Sequence, residues 1–185
     1  MLVEKDECVI VVFNIQKDII PVLHEGQKLI HDTCWLLDVA ESFEIPTLLL
    51  SHKGLRETAL SVKARAKKSF QSEVTFFSML RHENIAHHVE TQRKNQYILA
   101  GAEPHISLFQ TAIDLKALGK EVFILEDCIS SRNQKDIISS IERFKQIGCH
   151  IITKEMLFFE LLRYSEYPHY IDLSMKFLDN RYYQE

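Results

Sequence analysis

Ser107, His105 and Cys128 are the residues of this chain whose types and spacing could do covalent chemistry. All three lie in one stretch, Gln96 to Arg132, which reads QYILAGAEPHISLFQTAIDLKALGKEVFILEDCISSR. A serine hydroxyl attacks a carbonyl only with a base within about 3 Å and a third group that orients the base. His105 is the nearest base to Ser107. Two residues apart on one turn, however, their side chains point apart unless the backbone is irregular, and the plainer reading of His105 is a histidine at a pocket rim. Cys128 carries the better nucleophile, but it ends an apolar strand, where a free cysteine is usually a packed small hydrophobe.

The elements around these residues must do the aiming. YILAG is a short apolar run ending in glycine, ISLFQTAIDLKALG has apolar residues at helical spacing, and EVFILEDC is a second strand-like run. The turn AEPH therefore sits at the carboxyl end of a strand and opens onto a helix, where parallel sheets place ligands and nucleophiles. The same alternation runs through the whole chain. CVIVVF (8–13) reads as a central strand covered on both faces. A helix over 26–42 carries Ile30, Cys34, Leu37 and Ala40, broadened by Leu29, Trp35, Leu36 and Val39. IPTLLL is the next strand, with Pro46 near its start. Residues 51–80 have weak patterns and are expected to form an irregular excursion over the site. HENIAHHVETQ reads as a short helix. A further helix follows Asn133, with Ile137, Ile138, Ile141, Phe144 and Ile147 on one side and Gly148 as its cap. CHIIT and KEMLFFELLR are the last core strand and helix.

The pattern predicts an α/β fold of three layers, with one parallel sheet of five or six strands and helices on both faces. Its strands should begin near Cys8, Pro46, Gln96, Glu121 and Cys149, with the first strand central and the second and fourth beside or close to it. Residues 1–185 read as one domain. The segment 164–185 is aromatic, with Tyr164, Tyr167, Tyr170, Phe177, Tyr182 and Tyr183, and is expected to pack on its own domain or on a partner subunit.

In motif and order the chain resembles the isochorismatase-like cysteine hydrolases over residues 8 to 162. The matching residues are Gly101, Thr111, Ala112, Asp114, Leu115, Gly119, Asp127, Ser130, Ser131 and Arg132, with Gln16 in the first strand's motif and Phe77 and Ser78 in another. The resemblance implies a catalytic triad of Asp, Lys and Cys, in which a thiolate attacks a carbonyl or imine carbon. All three positions depart from it: Asn14 stands for Asp, Val74 for Lys and Ser107 for Cys. It also implies a cis peptide between Ala102 and Glu103 that aims backbone N–H groups at an oxyanion. A vestigial ligand site would then be made by Gln16, Ala102, Glu103 and His105. Metal-binding members use an Asp-x-His pair where this chain has Ser51, His52 and Lys53, so no metal or other cofactor is expected. An alkoxide is out of reach without a base, Asn14 cannot hold a proton, and Val74 supplies no charge. The expectation is a family member without cysteine-hydrolase activity that binds, if anything, a small carbonyl or anionic ligand. The alternatives are an active hydrolase with a nucleophile rebuilt at Ser107, or an oligomeric interaction protein.

Composition bounds the partners. At 185 residues, 46% hydrophobic and 26% charged, the chain has the make-up of a soluble protein, and a net charge of −4 gives no reason to expect nucleic acid or an anionic membrane. KARAKK (63–68) is the one basic cluster of note and reads as a solvated helix face, from which Lys67 or Lys68 is poorly placed to replace the missing lysine. Cys8, Cys34, Cys128 and Cys149 have no paired spacing, which suits reduced, buried thiols and a cytoplasmic protein. A homo-oligomer is expected. Asp127 is expected to cap a following turn or helix and to pair with Arg132.

Overall fold

Six parallel strands form one sheet in the order β3-β2-β1-β4-β5-β6: β1 (Cys8–Phe13), β2 (Thr47–His52), β3 (Phe70–Val74), β4 (Gln96–Ala102), β5 (Glu121–Ser130) and β6 (His150–Ile152). The computed structural model describes residues 1–178. Helices α1 (Gly26–Ser42), α2 (Leu60–Arg65), α3 (Glu83–Gln92), α4 (Phe109–Ala117), α5 (Gln134–Gln146), α6 (Lys154–Leu162) and α7 (Tyr170–Phe177) complete it.

The unbroken apolar run of β1 follows from its place. Successive side chains point to opposite faces of a strand. Cys8, Ile10 and Val12 join the core under α1 and α6, whereas Val9, Val11 and Phe13 join the core under α3, α4 and α5. Both faces are covered, so neither set can be polar. β1 pairs with β2 and β4, and Phe13 meets Leu50 on one side and Gly101 on the other. Connections run outward in opposite directions from β1 and β4, so the carboxyl ends of these two strands form the switch point where an open sheet leaves a crevice.

Residues 51–80 are more ordered than their weak pattern suggests. They contain α2 and the edge strand β3, in which burial alternates and only Val74 is fully buried. A five-residue edge strand with one buried apolar residue carries almost no hydrophobic signal. Within α5, Ile138 is 55% exposed rather than on the core side. Asn133 caps that helix by accepting from the Lys135 backbone N–H. Through residue 178 the aromatic segment folds back: Trp35 Nε1 donates to the Phe177 carbonyl at 2.8 Å, and the Phe177 ring meets those of Trp35 and Phe158 edge-on or tilted. Tyr182 and Tyr183 lie outside the described residues.

A buried ion cluster ties α1 to α6. Asp32, 2% exposed, accepts from Lys28 Nζ at 2.7 Å and from Lys154 Nζ at 2.6 Å. Burial alone would raise its pKa, but the two lysines outweigh burial and hold the carboxyl below its usual range. Among the described residues, no helix is long and apolar enough to cross a membrane.

Candidate functional site

The three positions aligned with the triad come from the ends of β1, β3 and the turn after β4. Asn14 follows β1 with φ of 54°, a left-handed conformation that Asn and Asp tolerate better than most side chains, and its N–H donates to the Leu50 carbonyl at 2.8 Å. Its Nδ2 donates to Ser107 Oγ at 3.4 Å, and both residues are buried. These two are brought together across 93 residues of sequence. Asn14 Oδ1 has no hydrogen-bond partner among the described residues. Val74 is 1% exposed and lies in the apolar cluster that also holds Phe13, Leu50 and Leu108. Its surroundings are hydrocarbon.

Ser107 sits in a wide π-type turn, Pro104–Leu108, that leads into α4. The backbone there is irregular, as a Ser107–His105 pair would require, yet His105 turns elsewhere. Its Nδ1 lies 3.1 Å from Ser131 Oγ. Ser131, not Ser107, is its partner. That serine is fully buried and its carbonyl accepts from the His24 N–H, so it anchors the imidazole rather than facing a substrate. The Ala102–Glu103 peptide is cis. Glu103 is buried and its Oε1 accepts from the Arg132 N–H at 3.1 Å and from Arg132 Nε at 3.0 Å. Arg132 thus pairs with Glu103 and not with Asp127, whose carboxylate caps α6 by accepting from the Lys154 N–H at 2.6 Å.

Gln16 is fully occupied. Its Nε2 donates to the carbonyls of His52 and Arg56, and its Oε1 accepts from the His52 N–H, which pins the loop after β2. Ala102 is buried at the end of β4. His52 sends Nδ1 to the Lys53 carbonyl, and among the described residues no three His, Cys, Asp or Glu side chains group as a metal ion would need. In the basic run, Arg65 pairs with Asp38 and Lys68 with Glu41, both on the surface.

All four cysteines are buried and free. Burial pushes the Cys8 thiol up to about 12 and the Cys149 thiol up to about 11. Burial also raises the Cys128 pKa, and its Sγ donates to the Asp32 carbonyl at 3.4 Å. A thiol so placed is a packed group and not a nucleophile.

A cleft of about 780 Å³ is bounded by the loop Thr75–Ser78, α4 and α5. His105 lies on its wall; Asn14, Val74 and Ser107 do not.

The profile of the isochorismatase domain matches residues 8–156. Isochorismatase family protein 2A of Dictyostelium discoideum is 26% identical over 166 residues, which are 84% of this chain and 82% of that protein. Among solved structures, the MAR1 ribonuclease of Caenorhabditis elegans superposes with a TM-score of 0.90 at 24% identity, covering 97% of this chain and 93% of the other. The YcaC gene product of Escherichia coli, described as an octameric hydrolase of unknown specificity, superposes with a TM-score of 0.88 at 19% identity over 96% and 91% of the two chains. At these identities the likeness to solved structures speaks for the fold.

Proposed function

The chain belongs to the isochorismatase family, and from that premise we propose that it is a member without the family's cysteine-hydrolase chemistry. The observation that carries this reading is the sealed pair Asn14–Ser107, 3.4 Å apart and buried, with a valine in the lysine position. In either orientation of its amide, Asn14 can hydrogen-bond the hydroxyl but cannot take up its proton. The His105 imidazole is held by Ser131. With Asn14 and Val74 at those positions and His105 turned to Ser131, the hydroxyl stays un-ionised at neutral pH.

The expected result is no turnover above the blank with nicotinamide, simple amides, isochorismate-type vinyl ethers or RNA. RNA belongs in the panel because the C. elegans neighbour is described as a ribonuclease. Iodoacetamide should modify the native protein slowly, because burial raises three of its thiols. Ser107→Cys alone should add no fast-reacting thiol. Adding Asn14→Asp and Val74→Lys should lower that thiol's pKa by supplying the charges it lacks. Hydrolysis by the wild type that disappears in Ser107→Ala would overturn the proposal and favour a rebuilt serine site.

A second reading concerns assembly, and it is that the chain forms a homo-oligomer in a cytoplasmic setting. Its support is a band of exposed apolar side chains, Met1, Leu2, Met156 and Phe159, of which the last three line one shallow groove, together with the octameric state of the E. coli neighbour. Sedimentation at micromolar concentration should give a species heavier than the 21.6 kDa monomer. A monomer at every concentration would refute it.

A further inference from the structure

We propose that His82 is a proton-operated latch on the loop Thr75–Ser78: its neutral imidazole clamps the loop, and its protonated imidazole lets go. The assignment is independent of whether Ser107 reacts. Geometry fixes the state of the ring. The N–H groups of Thr75 and Phe76 both donate to His82 Nε2, each at 3.2 Å. A ring nitrogen accepts only through its lone pair, so Nε2 carries no proton here and the neutral ring keeps its N–H on Nδ1. A proton on Nε2 would turn the shared acceptor into a third donor facing the other two. The clamp does not survive that change.

The loop is fixed at both ends and held in the middle by this histidine. Upstream, the Val74 carbonyl accepts from the Lys53 N–H at 2.8 Å. Downstream, Ser78 Oγ donates to Asp114 at 2.6 Å, and the Met79 N–H donates to Thr111 Oγ1 at 3.1 Å. Between them, Thr75, Phe76 and Phe77 make no backbone-to-backbone hydrogen bond among the described residues. Release is therefore confined to three residues, and those three line the cleft beside α4 and α5. Phe76 and Phe77 are 56% and 46% exposed, so little apolar burial restrains them once the clamp is lost. One wall of the cleft is what the proton moves.

The charges around the ring do not replace the lost bonds. Arg81 and Glu83 flank His82 in the chain, and α3 also carries His87 and His88, the latter stacked on Phe70. β3 brings Glu73, and the end of β2 brings Lys53 and His52, whose ring lies 5.9 Å from that of Phe77. α4 brings Asp114, which is occupied by Ser78 and Arg81. The histidines that pair with a carboxylate among the described residues are His24, His31, His150 and His169. His82 is not one of them, so protonation gains no ion pair there. Its ring meets Phe76 edge-on, a contact that supplies no acceptor for the two N–H groups. Hydrogen bonds to the neutral form oppose the charged one, so the latch is closed at high pH and opens as pH falls.

The test is a pH titration of the full-length protein by two-dimensional NMR, reading the His82 ring nitrogens and the loop amides together. At about pH 8, above the ordinary imidazole range, the ring should be neutral with its proton on Nδ1. As pH falls, the Thr75 and Phe76 amides should shift with the midpoint of the His82 ring and not with that of His52. Their exchange with solvent, corrected for pH, should quicken about tenfold. The Met79 amide, held by Thr111, should not follow. His82→Ala should show the released shifts at every pH while the amides of α3 keep theirs, because the side chain caps no group of that helix. His82→Gln, whose amide oxygen accepts but does not titrate, should remove the pH dependence. Loop amides that stay put while the ring takes up its proton would overturn the assignment. So would a ring protonated on Nε2 at about pH 8, a ring still neutral at about pH 5, or a His82→Gln protein whose loop still titrates.

Discussion

Gly101→Ala should destabilise the protein by about 3–5 kcal/mol. Gly101 has φ of 115°, which side-chain-bearing residues rarely adopt, and a Cβ there would sit 2.1 Å from the Phe13 carbonyl oxygen and 2.7 Å from the Phe13 nitrogen. Both contacts are backbone of the neighbouring strand, so no rotamer change relieves them. Overpacking costs about 1–3 kcal/mol or more, and the unfavourable φ adds to it. In a domain of this size the melting temperature should fall by about 10 °C or more. Thermal unfolding followed by circular dichroism reads the effect directly. A variant that melts within about 2 °C of the wild type would show that β1 and β4 do not approach as closely as described. The close approach also serves the site, because Phe13 and Gly101 are the last paired residues before Asn14 and the turn that holds Ser107.

Asp32→Asn should cost about 2–3 kcal/mol at neutral pH, judged from buried pairs that lose one partner and reduced because the two lysines keep access to water. The loss should depend on pH. A carboxylate held below its unfolded value contributes stability above that value and loses the contribution as pH falls through the folded one. Urea titrations should therefore show a full gap between wild type and variant above the ordinary carboxylate range, near pKa ~3.9 for Asp, and a closing gap below it. A gap that stays constant down to the acid transition would mean that Asp32 acts by shape alone.

Much of the architecture was legible because parallel strands buried on both faces advertise themselves. CVIVVF, TLLL, YILAG and EVFILEDC are apolar enough to stand out, and the helices between them have clear periods. β3 was not legible, since an edge strand with one buried side chain looks like a loop. At the candidate site, the nearness of Asn14 to Ser107 followed from the resemblance to the family, whose motifs put both positions in one site. The partners of His105 and Arg132 did not. Ser131 lies 26 residues from His105 and Glu103 lies 29 from Arg132, and such pairings are set by how β4 and β5 align at their ends. Asp127 looked available to Arg132 only because its use at the start of α6 depends on a contact 27 residues away. Gln16 read as a ligand-site residue because the resemblance to the family places it in the first strand's motif. In the folded chain its hydrogen bonds hold the loop after β2.

The central position of β1 has a consequence for the newborn chain. β1 can pair with β2 once Thr47–His52 has left the ribosome, but its other edge waits for Gln96–Ala102. At about 5–20 residues per second that interval lasts roughly 3–10 s. Throughout it, the unpaired edge of CVIVVF is an adhesive surface: rich in β-branched residues, uncharged and free of proline. The strand that organises the finished sheet is thus also a segment that a chaperone would need to cover during translation.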